Sequence, residues 1–282
     1  MKFSVILALL LMIPCLALAA GEICEVVNVN EYVTLRELPQ RKAKEVDRIP
    51  LGDLAVRLNG SEGEFTCLSY HGQVGYVLTQ YLSVRPEERG EPIQMEDGTK
   101  IQMNLFLTEF SDEWFSWHAA FLLESCRDRE MVDLAVDTLF GREMELGEYG
   151  EYNARVSGRT VQDMVRSWFG RESVNLSDTR YKYRDGYYYS EETGGRSTGG
   201  FVLTEEMQQL PDGRMRVLFS TYGAGASWKP EAVCTLSESS ARAMYPYSSV
   251  WHGTALVDMH GTQDRNQWTL SYWYLDSEEI SP

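Results

Sequence analysis

Four short turn signals cut much of the chain into segments that antiparallel sheets accommodate best. Asn59-Gly60, His71-Gly72, Asp185-Gly186 and Pro211-Asp212-Gly213 each stand between apolar or aromatic runs. A tight hairpin connection needs positive φ at its centre, which Asn, Asp and Gly reach at little cost. The flanking runs Leu54–Leu58, Phe65–Tyr70 and Val74–Leu78 therefore read as short strands. So do Tyr181–Arg184 with Tyr187–Tyr189, Phe201–Gln209 with Arg214–Tyr222, and Gly253–Met259 with Gln267–Leu275.

The helical signal is confined to the middle of the chain. Val132, Ala135, Val136 and Leu139 share one face of a helix over Arg129–Phe140 that stops at Gly141. A third helix begins at Thr160, carries Val161, Met164, Val165 and Trp168 at helical spacing, and ends at Gly170. Ser111-Asp112-Glu113 reads as a helix start, followed by a largely buried helix over Trp114–Cys126. Ile101–Phe106 reads as an opening strand. Helices followed by antiparallel hairpins make an α+β domain with the helices on one sheet face, and a curved, cystatin-like sheet is the expected form. The earlier strands make an all-β unit, a small closed barrel.

The N-terminus has the order of an export signal: Lys2, the apolar run Val5–Ile13, then Ala17-Leu18-Ala19. That run is too short for a comfortable membrane span, and no later segment approaches the ~20 apolar residues a spanning helix needs. The expectation is a signal peptide over 1–19 and a secreted or envelope-located protein with no transmembrane segment. The 282 residues carry 26 bases against 42 acids, a charge of −16. No basic surplus exists to release counterions, which excludes a nucleic-acid binder working by phosphate neutralisation. Residues 20–84 hold 9 acids and 6 bases, whereas residues 85–282 hold 33 and 19. Between these regions Arg85-Pro86-Glu87-Glu88-Arg89-Gly90-Glu91-Pro92 is polar and bracketed by prolines. Two domains, 20–84 and 100–282, joined by a linker over 85–99, are the simplest reading.

Four cysteines remain after the leader: Cys24, Cys67, Cys126 and Cys234. An even count in an exported chain permits two disulfides, and pairing within each domain would join Cys24 to Cys67 and Cys126 to Cys234. Four free buried thiols are the alternative, since a chain this long builds a core without staples. None has C-x-x-C spacing, so no metal site is expected there, and no cofactor motif occurs. No cysteine or serine stands in a nucleophile motif. His252, Asp258, His260 and Asp264 form the one tight His/Asp grouping and read as a polar loop lip. No catalytic residue is assigned. The run Tyr181, Tyr183, Tyr187, Tyr188 and Tyr189 reads as cross-strand packing, with a sugar-stacking platform as the alternative.

The segments Tyr32-Val33-Thr34-Leu35-Arg36-Glu37-Leu38-Pro39, Ile49-Pro50-Leu51-Gly52, Phe65–Val77 and Tyr81-Leu82 together resemble a bacterial SH3-like (SH3b) domain over roughly residues 24–84. Tyr76 stands after the glycine where that family often has Trp. No family is recognised over 100–282. The resemblance implies an SH3-like barrel with a binding role, because SH3b modules commonly accompany cell-wall enzymes and some hold the wall's peptide. Tyr32, Tyr70, Tyr76 and Tyr81 are the candidate ligand-binding residues, with burial in the core as the competing reading of each. The expected function is that of a secreted, non-catalytic envelope protein binding peptidoglycan or a cell-surface protein. The alternatives are an envelope hydrolase with an unrecognised catalytic domain, and a protein–protein adaptor using its aromatic sheet.

Overall fold

The computed structural model describes residues 21–86, 90–111, 120–191, 200–223, 229–245 and 250–276, so the expected leader over 1–19 lies outside the described residues. The described residues open with seven strands: β1 (Ile23–Val26), β2 (Tyr32–Arg36), β3 (Glu45–Pro50), β4 (Leu54–Arg57), β5 (Phe65–Tyr70), β6 (Gln73–Leu78) and β7 (Leu82–Val84). They form one antiparallel sheet in the order β3-β2-β6-β5-β4-β1-β7. The β5–β6 turn places His71 at φ 50° and Gly72 at φ 68°, the mirror-image hairpin geometry expected there. Leu35, Ile49, Leu68 and Val77 are wholly buried on one face of this sheet.

The other face is covered too. Leu54, Ala55 and Val56 are buried in succession along β4, as happens when a strand is packed on both sides. Ala55 joins the inner cluster. Leu54, Val56, Phe65, Cys67 and Tyr76 instead meet Ala120, Leu122, Tyr272 and Tyr274 from the rest of the chain. Asn59 Nδ2 donates to Asp276 Oδ1 at 2.6 Å, and Arg127 reaches Asp47 at 3.3 Å across the same junction.

The remainder of the chain contains β8 (Glu91–Pro92), α1 (Asp97–Thr108), β9 (Ala120–Leu122), α2 (Asp128–Arg142), β10 (Glu145–Tyr149), β11 (Tyr152–Ser157), α3 (Gly158–Phe169), β12 (Lys182–Arg184) and β13 (Tyr187–Ser190). It then runs through β14 (Gly200–Gln209), β15 (Met215–Gly223), α4 (Pro230–Val233), α5 (Glu238–Met244), β16 (Val250–Asp258) and β17 (Thr269–Asp276). A six-stranded antiparallel sheet has the order β8-β14-β15-β16-β17-β9, and a four-stranded one the order β10-β11-β13-β12. The expected linker over 85–99 thus contributes β8, which pairs with β14, and the first turn of α1.

Side chains alternate across the six-stranded sheet. Val217, Phe219, Ala255, Val257 and Trp273 point to the face that packs on α1, α2 and α3. Phe219 and Trp273 rings lie 4.4 Å apart there. A β-carbon on Gly253 would sit 2.4 Å from the Phe219 ring, so this strand needs glycine to admit the aromatic pair. On α3, Ser157 caps the start by accepting from the Arg159 N–H, and Gly170 ends it at φ 66°.

Two local expectations are overturned. Ile101–Phe106 is not a strand but lies inside α1. Asn104 and Thr108, one helical turn apart, point at the edge of β14: Asn104 Oδ1 accepts from the Thr204 N–H at 2.7 Å and Thr108 Oγ1 from the Val202 N–H at 3.0 Å. The helix thereby satisfies edge donors that would otherwise be buried unpaired. Trp114–Cys126 is not one helix. Ala120–Leu122 is strand β9 against β17, and Leu123–Ser125 is a single 3-10 turn. Residues 112–119, with most of the expected helix start, lie outside the described residues. The apolar character on all sides has a strand's cause: Phe121 enters the helix-covered core while Ala120 and Leu122 meet the first sheet.

Candidate functional site: a groove beside β2 and a cleft over the large sheet

β2 pairs with β3 along its whole length, but with β6 only where Arg36 meets Tyr76. Gly75 makes that crossing possible, since a β-carbon there would stand 2.7 Å from the Arg36 carbonyl oxygen. Continued in register, Thr34 would face Leu78 and Tyr32 would face Gln80. Instead the strands part, and a cavity of about 650 Å³ fills the gap. It is lined by Asn28–Thr34, Arg36, Phe65, Leu78 and Tyr81. Tyr32 is 39% exposed, with the Arg48 guanidinium 4.6 Å from its ring centroid. Arg36 is committed locally, donating to the Ala43 carbonyl at 2.8 Å.

Of the four candidate tyrosines, the groove brings together two, Tyr32 and Tyr81. Tyr70 is buried, and its hydroxyl donates to Asp53 Oδ2 at 2.7 Å. Burial, then the Asp53 carboxylate, pushes its pKa up, so it stays a neutral donor. Tyr76 is buried in the junction with β9 and β17.

A second opening lies over the outer face of the six-stranded sheet. This cleft, of about 450 Å³, is floored by β15, β16 and β17 and walled by Glu22, Ile23, Arg85, Pro86 and Glu124. At one end Ser220, His252 and Glu205 converge. His252 Nδ1 lies 3.0 Å from Glu205 Oε1 and 3.0 Å from Ser220 Oγ, while the Ser220 hydroxyl donates to the same Glu205 oxygen. Hydrolytic relays place the acid on one imidazole nitrogen and the nucleophile on the other. Here both partners share Nδ1, and Ser220 is only 1% exposed, so the arrangement anchors the imidazole rather than activating the serine. The sequence reading missed this cleft. Its signal is the alternation of Arg216, Leu218 and Ser220, which puts a charged, an apolar and a polar side chain on one face of β15, with Arg214 just before it.

The four cysteines are free thiols, so neither expected pairing is made in the structure. Cys24 and Cys67 belong to clusters on opposite faces of the first sheet; Cys126 and Cys234 lie in separate clusters of the second part. Burial pushes Cys24, Cys67 and Cys234 up to about 11 and Cys126 well above its ordinary value, which disfavours the thiolate a nucleophile needs. His260 contacts Asp258 at 3.3 Å and Thr269 at 3.1 Å, and Asp264 caps the Arg265–Gln267 turn. His252 is held apart from them by Glu205 and Ser220. Among the described residues no three His, Cys, Asp or Glu side chains converge as a metal site would require.

The tyrosine run splits by strand alternation. Tyr183 and Tyr188 pack together toward the core, with centroids 4.7 Å apart, and Tyr181 donates to the buried Asp137. On the other face Arg155 covers Tyr187 at 4.0 Å and Tyr149 at 4.5 Å, while Arg184 covers Tyr189. Those ring faces are occupied by the chain's own guanidinium groups.

Among the described residues no helix is long and apolar enough to cross a membrane. Comparison with known proteins finds no matching family, no matching curated protein and no matching solved structure.

Proposed function

We propose that this is an exported, non-catalytic binding protein of the cell envelope, which holds an extended peptide of the wall or of a surface partner in the groove beside β2. The observation that carries the reading is the parting of β2 and β6 after a single crossing. It leaves one side of β2, among the described residues, without a strand partner between Tyr32 and Leu35. An extended peptide entering there can add to the sheet through main-chain hydrogen bonds, which give affinity with little dependence on sequence. Tyr32 and Tyr81 supply contact area with a polar tip at small entropy cost. Two further features support the proposal: the SH3b resemblance of residues 24–84 and the leader pattern at the N-terminus. In the same reading the first sheet is an SH3-like barrel, and the β14–β17 meander on its helices is cystatin-like.

The test is retention of the full processed chain on isolated peptidoglycan, compared with an unrelated protein of similar acidity. Specific retention that falls at least about tenfold in a Tyr32→Ala/Tyr81→Ala variant is expected, in line with the loss of two aromatic anchors. Retention no better than the acidic control would overturn the wall assignment.

A further inference from the structure

The α4–α5 end of the outer sheet face keeps a small cavity of about 210 Å³ between β14, β15, α1 and the start of α5. That is below the ~300–1,000 Å³ of sites for drug-sized molecules, so only a compact ligand fits. Register sets Phe201 opposite Tyr222 on this face, and the two rings stack with centroids 5.2 Å apart. Tyr222 is wholly buried, and among the described residues its hydroxyl makes no hydrogen bond. Ser220 stands beside it, but the Ser220 proton goes to Glu205. The charges acting on the hydroxyl are Glu238, Arg242 and Glu205; both glutamates line the cavity, so the hydroxyl faces into it. A buried phenol without a partner is costly unless a bound group completes it. The rest of the lining is charged and only partly satisfied. Lys100 lies one helical turn before Asn104, which bonds the Thr204 N–H, so α1 brings its ammonium to the β14 edge. Among the described residues that ammonium has no ion pair or hydrogen bond. Glu205 Oε1 receives Ser220 and lies 3.0 Å from His252 Nδ1, and Glu238 Oε1 accepts from Arg242 at 3.0 Å. Opposite charges thus line one small cavity without pairing across it.

We infer that this cavity binds a free α-amino acid with a short aliphatic side chain, at a site separate from the groove beside β2. The acid group of the ligand takes the Lys100 ammonium and the Tyr222 hydroxyl, two donors that the fold leaves open. Its ammonium takes the second oxygens of Glu205 and Glu238. The side chain lies on Leu203 and Leu236, which complete the wall with aliphatic surface. An analogue with only one of the two charges leaves part of this lining without its counterpart, and the site discriminates against it on that ground.

The test is isothermal titration calorimetry of the full chain with L-valine. Isovalerate, which lacks the ammonium, isobutylamine, which lacks the carboxylate, and D-glucose, a neutral polyol, serve as controls. L-Valine is expected to bind at least about tenfold more tightly than any of them, the scale of one charge-assisted hydrogen bond. Lys100→Gln is expected to erase the advantage over isobutylamine, and Glu205→Gln/Glu238→Gln the advantage over isovalerate. Tyr222→Phe is expected to weaken L-valine about threefold while leaving the urea stability of the ligand-free chain undiminished; a hydroxyl with a purely structural role would lower that stability and leave the affinity alone. Leu236→Trp, which fills the cavity, is expected to abolish binding with the circular dichroism of the fold retained. Equal affinity for L-valine and either one-charge analogue, or tighter binding of D-glucose, would overturn the amino-acid assignment. No binding of millimolar L-valine, or undiminished binding by a natively folded Leu236→Trp variant, would overturn the site itself.

Discussion

The two faces of the six-stranded sheet are built from the same strands and have opposite roles. On the inner face Trp273, Phe219, Val217 and Val257 are wholly buried against the helices. One residue away along each strand, the outer face presents Arg216, Ser220, His252 and Tyr272. The first sheet covers one end of that outer face and the α4–α5 segment the other, which leaves the middle open. Period-two alternation thus separates the apolar side chains packed on the helices from the more polar ones on the opposite face.

Substitutions across this divide sharpen the contrast. Trp273→Ala opens a large void in a close-packed layer and is expected to cost about 3–5 kcal/mol in urea unfolding. Leu218→Ala, on the outer face of the neighbouring hairpin, is expected to cost less than about 1 kcal/mol. Equal losses would show that the outer face is packed like the inner one. Asn104→Leu leaves the Thr204 N–H and the Cys234 carbonyl without their buried partner, and a loss of about 1–3 kcal/mol is expected in the same assay. A neutral effect would mean that α1 does not guard the β14 edge.

A smaller effect depends on pH. Glu130 lies at the junction of the two parts, beside Val56, His71 and Phe121. Burial raises its carboxyl from 4.5 to about 7, against smaller opposing contributions from Cys126 and Arg127. The neutral form is the favoured one in the fold, so its stability contribution is complete below about pH 4.5 and is lost as pH rises through 7. His71 runs the other way. Burial and Arg127 lower its value below 6.5, so its cost grows as pH falls under that point. The Glu130→Gln variant isolates the first effect: relative to it, the unaltered chain is expected to lose on the order of 1–2 kcal/mol between pH 4.5 and 8, read from melting temperatures. Parallel pH profiles for the two proteins would place Glu130 in solvent.

The parts of this architecture visible in the sequence are those with local causes. Asp185-Gly186 and His71-Gly72 require left-handed backbone, and both pairs adopt it. Helix α3 was legible because Val161, Val165 and Trp168 share one buried stripe and Gly170 can adopt the left-handed stop. Helix α1 was not, because Asn104 and Thr108 are polar yet buried, and their partners on β14 are about a hundred residues away. β9 was misread for a related reason: both its faces are covered, by helices and by the first sheet, so no alternation survives. The groove was half legible. Tyr32, Tyr70, Tyr76 and Tyr81 are the sequence candidates, with Tyr76 the one whose pattern most favours the core, and whether Tyr32 lines an open groove depends on where β2 leaves β6, a property of tertiary register alone.

Amide chemical-shift mapping of the full processed chain with a soluble peptidoglycan peptide bears most directly on the binding role of the groove. Saturable shifts confined to Tyr32–Arg36 and Leu78–Tyr81, abolished in Tyr32→Ala/Tyr81→Ala and retained in Tyr70→Phe, are the expected result. Shifts clustered elsewhere, or none at millimolar peptide, would contradict it.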